Sequence, residues 1–242
     1  MDIDAAPAEF IAKWRERWPE WSVAEAFVPE SQREVASAWF ALRHELTEAA
    51  WGGEDPRPGE AKLEWWIEEL RGWAQGRRRH PLGTALQKQP VPWILLADSI
   101  PALLASRGAA PDPDQAAIRL EPFAEGVAGI GATLFADAAQ PPPPPPPPRS
   151  VVHGLLAEQL LRQGEAAVPE SLRQQGGGTK AVQAWAARLL QRWAPPHHGS
   201  TPGRLQAMLV RERLQTCAEG RDTPSAWSRW TLALRCRRIA RG

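Results

Sequence analysis

The chain has 242 residues, of which 43% are hydrophobic and 24% charged, and its 29 basic and 28 acidic residues give a formal net charge of +1. This length and apolar content suffice for one substantial globular domain. A net charge so close to zero gives no chain-wide attraction to nucleic acid, so no nucleic-acid partner is expected and any basic function must be local.

Residue types narrow the possible sites further. Cys217 and Cys236 lack metal-ligand spacing, which argues against a zinc site or a disulfide framework and favours a reducing cytoplasm. No signal-peptide pattern or apolar run of roughly 18 residues occurs, so at most peripheral membrane contact is expected. The 13 Trp residues are predicted to be mostly core or groove-lining, and the lack of Tyr excludes a tyrosine-dependent mechanism.

Helical periodicity dominates the first half of the chain and no useful strand pattern occurs, which predicts an all-α class. Two amphipathic helices are predicted from apolar stripes with charges between them. The stripes are Val35, Trp39, Leu42, Leu46 and Ala49, and then Leu63, Trp66, Leu70 and Trp73. The charged face of the second helix, with Glu60, Glu64, Glu68, Lys62 and Arg71, is predicted to be a solvated flank.

A basic run, Arg77, Arg78, Arg79 and His80, follows the second helix. Basic residues favour helix C-termini through the macrodipole, so this run is expected to be a solvated helix end. The alternative is that these side chains contact a phosphate or an acidic partner. "PLGTAL" then predicts a short helix that begins at Pro81.

Next comes a helix predicted over roughly Asp114–Asp137, in which Gly126 and Gly129 would let another backbone or a ligand approach closely. An insert at 138–150 contains eight consecutive prolines, Pro141–Pro148, which predict a stiff polyproline II segment. It is either a spacer or a ligand for an aromatic-lined groove.

The remaining segments, "VVHGLLAEQLLRQ", "AVQAWAARLLQRW", "RLQAMLVRERLQ" and "AWSRWTLALRCRRIARG", are predicted helices, and residues 195–242 form a compact, basic C-terminal portion. The arginines of the last helix are expected either to be solvated or to attract an acidic partner or anionic lipid headgroups.

The order of these segments resembles the squalene and phytoene synthase family. "ASAWFALRHELTEAAW" followed by "GEAKLEWWIEELRGWAQGRRRHPLGTAL" resembles its first catalytic helix and the next one. "FAEGVAGIGATLF" resembles its small-residue helix, and "LLAEQLLRQGEAAVPESL" its second catalytic helix. The resemblance covers roughly residues 10 to 190 and implies a single helical domain over 1–242 with an isoprenoid-synthase-like bundle. Active members join two prenyl diphosphates with magnesium held by two Asp-x-x-x-Asp motifs.

Both motifs are missing from this chain. With Arg43 aligned to the family's arginine, Leu46 and Ala50 stand at the first aspartate positions, and Gln163 stands at the start of the second motif. The remaining acids Glu45 and Glu48 point away from the Leu46/Ala50 direction at ~100° per residue. Glu165 is the only acid left in the second segment.

These absences lead to the hypothesis of a catalytically inactive family member, without a metal or other cofactor, that binds an isoprenoid or another protein. A mitochondrial branch of the family, a complex I assembly factor, has a similarly degenerate first motif. The ligand groove would be lined by five residues and by two glycines of the glycine helix: Trp39, Arg43, Leu46, Ala50, Trp66, Gly126 and Gly129.

The competing hypothesis is a divergent prenyltransferase in which Glu45, Glu48 and Glu165 together hold magnesium. This enzyme would require the three acids to converge in a cavity, whereas the inactive protein would have an apolar or closed one. A third possibility is a structural protein whose proline segment and basic tail recruit a partner.

Overall fold

A computed structural model of the chain describes residues 5–136, 148–193, 199–221 and 229–241. Within these ranges the protein is built from α-helices, short 3-10 turns and loops, with no strand, which confirms the all-α class. The helices are α1 Ala5–Arg17, α2 Trp21–Ala24, α3 Arg33–Trp51, α4 Arg57–Ala74, α5 Gly83–Leu86, α6 Trp93–Ala105, α7 Pro113–Leu134, α8 Pro148–Gln163, α9 Glu170–Arg173, α10 Thr179–Gln191, α11 Thr201–Ala218 and α12 Arg229–Ala240.

Helix α3 lies at the centre of the fold. Fourteen of its nineteen residues are buried, and it packs against α1, α4, α5, α6 and α8. The predicted stripe residues Trp39, Leu42 and Leu46 are at most 2% exposed. Because neighbours surround α3 on several sides, His44 and Glu45 are buried as well, although they lie off that stripe.

The second predicted stripe is also confirmed, since Leu63, Trp66, Leu70 and Trp73 of α4 are all buried. Helices α4, α6, α7 and α8 then pack in succession, each against the next. Helix α6 was not predicted from the sequence. Its first turn has an exposed side, because Ile94 and Leu95 are exposed while Leu96 and Ile100 are buried.

Tryptophans supply much of the core, as predicted. Trp14, Trp21 and Phe40 form one cluster with ring centroids 5.0 to 5.4 Å apart. Trp66, Trp73 and Trp93 form another, arranged edge to face, a geometry that aromatic quadrupoles favour. Among the tryptophans that the structure describes, Trp230 of α12 is 82% exposed.

Local capping signals mark the starts of α7 and α11. The Asp112 side chain accepts hydrogen bonds from the backbone N–H groups of Asp114 and Gln115, and Pro113 occupies the first turn of α7. Ser200 caps α11 in the same way. Residues 138–147 of the predicted proline insert lie outside the described residues, and residues 148–150 form the first turn of α8.

Candidate functional site

A buried carboxylate with two cationic partners lies in the segment that the resemblance aligns with the first magnesium motif. Glu45 of α3 has a side chain only 2% exposed. Its Oε1 accepts a hydrogen bond from Lys13 Nζ of α1 at 3.1 Å, and its Oε2 accepts one from Lys62 Nζ of α4 at 2.6 Å. Lys13 also pairs with Glu48, one turn further along α3. The charged groups of three helices therefore neutralise one another at this point.

The two lysines keep Glu45 ionised. Burial by itself raises the pKa of a carboxyl group, but the hydrogen bonds and charges of Lys62 and Lys13 together outweigh it, so the pKa of Glu45 is lowered. Burial and hydrogen bonding shift the pKa of the Lys13 ammonium in the opposite directions. Burial lowers its pKa, yet the hydrogen bonds to Glu48 and Glu45 raise it overall.

The same residues offer a possible ligand set for a metal ion. One ligand atom each from His44, Glu45 and Glu48 lie within 4.8 Å of one another. Magnesium requires hard oxygen ligands in octahedral geometry. Here both carboxylates are occupied by ammonium groups and the third donor is an imidazole nitrogen, so the residues do not fit a magnesium site as they are arranged.

Glu165, the third acid of the predicted magnesium set, does not belong to this group. It lies in a 3-10 turn after α8, and its Oε1 accepts a hydrogen bond from the backbone N–H of Gly178 at 2.7 Å. Gln163, at the second motif position, donates from Nε2 to the backbone carbonyl of Trp51 at 3.1 Å. Both side chains therefore bind segments of the chain itself.

The predicted groove residues on α3 and α4 lie in the packed core. Trp39 is 2% exposed, and Leu46, Ala50 and Trp66 have no exposed surface. The backbone carbonyl of Ala50 accepts a hydrogen bond from Arg107 at 2.9 Å. These side chains contact other core residues and leave no open groove between them.

The two glycines predicted to line the groove have different surroundings. A methyl group at Gly126 would lie 2.8 Å from Ser99 Oγ of α6, so this glycine allows α6 and α7 to pack closely. Gly129 is exposed, and a methyl group there would meet nothing within 4 Å.

A small cleft lies beside α3, between α1, α8 and α11. Its walls are formed by Trp14, Arg17, Trp18, Phe40, Arg43, His44, Thr47, Trp51, Glu158, Arg162 and Gln206. Its free volume of ≈ 20 Å³ is enough for about one water molecule. Sites that bury a small-molecule ligand usually measure about 300–1,000 Å³.

The cleft is rich in arginine. Arg43 Nη2 donates to Glu158 Oε1 at 3.2 Å, and Arg17 donates to the backbone carbonyl of Leu161 at 2.6 Å. Arg162 Nη2 lies 3.2 Å from His44 Nδ1. Since a guanidinium can only donate, His44 Nδ1 must accept, which requires a neutral imidazole protonated at Nε2.

Burial and charge agree with this assignment. Burial, followed by the positive charge of Arg162, lowers the pKa of His44 to about 4. At neutral pH the cleft therefore contains three guanidinium groups and an uncharged histidine, with Glu158 as the acidic group on its wall. Gln206, 4% exposed, leaves its Oε1 without a hydrogen-bond partner in the protein. A water molecule in the cleft would satisfy that oxygen.

The basic run after α4 is organised by another buried acid, Glu69. Its carboxylate accepts hydrogen bonds from the backbone N–H groups of Arg79 and His80 at 2.6 and 2.7 Å, and from Trp73 Nε1 at 2.8 Å. Arg79 Nε also donates to it at 3.0 Å. Burial raises the pKa of Glu69, but these donors outweigh it and lower the pKa overall.

The side chains of the basic run contact the protein itself. The His80 ring packs at a tilt against the rings of Phe10 and Trp66, with centroids 4.4 Å apart in both pairs. Arg77 donates to Gln75, and Arg78 donates to the backbone carbonyl of Gly83 at 3.4 Å. The arginines nevertheless remain exposed, and their contact with a phosphate or an acidic partner stays a prediction.

Several residues of the site were not identified from the sequence. Lys62 was predicted to belong to a solvated flank, but it binds Glu45, which lies 17 residues away. No pattern in the sequence singles out three further residues: Lys13, Glu158 and Arg162. Glu69 was not identified either, but the signal for it is present in the sequence, since it lies three residues after Trp66 and four before Trp73, on the apolar side of α4.

Comparisons with known proteins do not extend these assignments, since no family model and no curated protein matches this chain. Among the described residues, no helix combines the length and the apolar character that crossing a membrane requires.

Proposed function

We propose that this protein is a catalytically inactive relative of the squalene and phytoene synthases that acts as a protein-assembly scaffold. The observation that carries the proposal is the pairing of Glu45 with Lys13 and Lys62. A magnesium-dependent synthase needs free carboxylates facing its substrate. Here the ammonium groups of Lys13 and Lys62, and not a metal ion, supply the positive charge that neutralises Glu45.

The tight packing of the predicted groove residues favours assembly with a protein over isoprenoid binding. Leu46, Ala50 and Trp66 fill the volume that a prenyl chain would occupy under the resemblance, and each has no exposed surface. The cleft beside α3 has room for about one water molecule. A protein partner would instead use the surface of the helical domain, which requires no internal cavity.

The alternative, a divergent magnesium-dependent prenyltransferase, has one observation in its favour. His44, Glu45 and Glu48 are close enough for a single ion to reach all three. For such an ion to bind, Lys13 would have to release Glu48 and both lysines would have to release Glu45. The loss of these ion pairs makes this function the less favoured one.

A diphosphate-release assay distinguishes the two functions. The purified chain is incubated with farnesyl or geranylgeranyl diphosphate, with and without magnesium, and released diphosphate and extracted hydrocarbon are measured. We expect no release above the metal-free control. Magnesium is also expected to leave the thermal unfolding midpoint unchanged, because binding to the folded state alone would raise it.

The variant Glu45→Gln/Glu48→Gln provides the catalytic control, and Glu165→Gln provides a matched control outside the cluster. Magnesium-dependent release that is lost in the first variant and kept in the second would refute the inactive scaffold. Binding of farnesyl diphosphate can be measured by the quenching of tryptophan fluorescence. Saturable binding without diphosphate release would favour isoprenoid binding over protein assembly as the function.

A further inference from the structure

Helix α12 presents two different faces to its surroundings. Leu232 and Cys236 are buried, 3% and 0% exposed, and they face α11 and α2. At ~100° per residue, the opposite face carries Trp230, Leu234 and Arg237, all of which are exposed. Arg241, one turn after Arg237, continues this line. We refer to these four residues as the outer face of α12.

The outer face is unusual in this molecule because it combines exposed apolar and basic side chains. Trp230 is 82% exposed and Leu234, one turn away, is 65% exposed. Large exposed apolar side chains that lie next to basic ones are a feature of interaction surfaces. Most tryptophans among the described residues are buried, and Trp230 differs from them.

The outer face is also a local concentration of positive charge. Residues 229–241 contain five arginines and no acidic residue, whereas the whole chain has a formal net charge of only +1. Arg235 is paired with Glu212 of α11. Arg237, Arg238 and Arg241 are exposed beyond that pair. The partner that complements this helix is therefore negatively charged.

The helix is fixed to the domain, so the outer face is a defined surface. Arg204 of α11 donates to the backbone carbonyl of Ile239 at 3.3 Å, and the Arg235–Glu212 pair adds a second link. The burial of Leu232 and Cys236 fixes the rotation of α12 about its own axis. Trp230 and Leu234 are thereby directed away from the rest of the protein.

We propose that the outer face of α12 docks on an anionic lipid bilayer. A helix that carries Trp and Leu next to arginines matches the chemistry of the membrane interface, where the indole lies at headgroup level and the guanidinium groups contact lipid phosphates. An acidic protein could use the arginines, but the exposed indole and leucine then require an apolar recess in that protein. A bilayer supplies both components in one surface.

The test is co-sedimentation of the full chain with vesicles of phosphatidylcholine alone or of phosphatidylcholine with 30% phosphatidylglycerol. We expect binding to the anionic vesicles, weak binding to the neutral ones, and a decrease as the salt concentration rises. Trp230→Ala/Leu234→Ala should weaken binding on the order of tenfold or more, since both apolar anchors are removed. Arg237→Gln/Arg241→Gln should weaken it roughly fivefold for each charge.

The matched control is Ile94→Ala/Leu95→Ala, which removes two exposed apolar side chains from α6, 48% and 60% exposed, outside the basic helix. This variant should bind anionic vesicles like the wild type. Thermal unfolding checks that every variant remains folded, as expected for exposed positions.

Three results would overturn the proposal. The first is no binding to anionic vesicles, and the second is an equal loss in the α6 control. The third is binding that survives Trp230→Ala/Leu234→Ala and is displaced by polyglutamate, which would assign the arginines to an acidic protein partner.

Discussion

Acidification from pH 7 to pH 5 should destabilise this protein through His44, the histidine of α3 that is 8% exposed. Burial, followed by the charge of Arg162, lowers the pKa of His44 to about 4 from an ordinary value of 6.5. Between these values the unfolded chain binds a proton that the folded chain does not. The stability contributed by the neutral imidazole is therefore complete above pH 6.5 and is lost as the pH falls towards 4.

The magnitude follows from this difference in pKa. Each pH unit over which one proton is bound only by the unfolded chain lowers the free energy of unfolding by about 1.4 kcal/mol. At pH 5, about 1.5 units below the pKa of an unfolded histidine, the loss from His44 is about 2 kcal/mol. Small domains have total stabilities on the order of 5–15 kcal/mol, so this loss is large enough to measure.

The assay is urea unfolding followed by tryptophan fluorescence at pH 7, 6 and 5, with the wild type beside His44→Gln. Glutamine stays neutral over this range, so the wild type should lose about 2 kcal/mol more than the variant between pH 7 and pH 5. Contributions from other titrating groups are present in both proteins and cancel. An equal loss in both would refute the assignment of a buried, neutral His44.

The variant Arg162→Gln examines the cause of the shift. Removing this guanidinium should raise the pKa of His44 and reduce the acid-dependent loss of stability. The loss should not disappear, because burial is the larger cause of the lowered pKa. A variant with the wild-type pH dependence would show that the 3.2 Å contact between Arg162 and His44 has no electrostatic consequence.

Two further predictions concern stability and are measured by the same urea unfolding at pH 7. Glu69→Gln should lower the free energy of unfolding by about 3 kcal/mol, because it removes a buried carboxylate that accepts hydrogen bonds from four donors. Glu68→Gln is the control: this neighbouring side chain is 72% exposed, and its replacement should change stability by less than about 0.5 kcal/mol. Gly59→Ala should cost about 2 to 3 kcal/mol, since its methyl group would lie 2.1 Å from the backbone carbonyl oxygen of Ala49. Gly129→Ala should instead stabilise helix α7 by about 1 kcal/mol, because open space surrounds that position. Equal effects within either pair would contradict the packing described above.

The sequence correctly predicted what depends on neighbouring residues. The spacing of Trp39, Leu42 and Leu46 identified the inward side of α3, and Leu63, Trp66 and Leu70 did the same for α4. The all-α class followed from the same periodicity. Helix α6 was missed because it is apolar along most of its length and contains Pro101, so its sequence shows little contrast between two faces.

The candidate site could be predicted only in part. The absence of an Asp-x-x-x-Asp pair can be read from the sequence. The contacts of Glu45 cannot, because Lys13 lies 32 residues before it and Lys62 lies 17 residues after it, and neither spacing is a local pattern. The same holds for Arg162 and His44, which are 118 residues apart.

The sequence by itself determined that the chain forms helices, which faces of α3 and α4 carry their apolar stripes, and that no Asp-x-x-x-Asp pair is present. Only the tertiary structure decided that Glu45 is buried between two lysines, that Glu69 organises the basic run, and that Trp230 projects from the surface. The physical reason is the separation along the chain of the residues that interact. Helix formation and amphipathicity depend on residues three and four positions apart, whereas charge pairing and burial depend on which helices meet after packing.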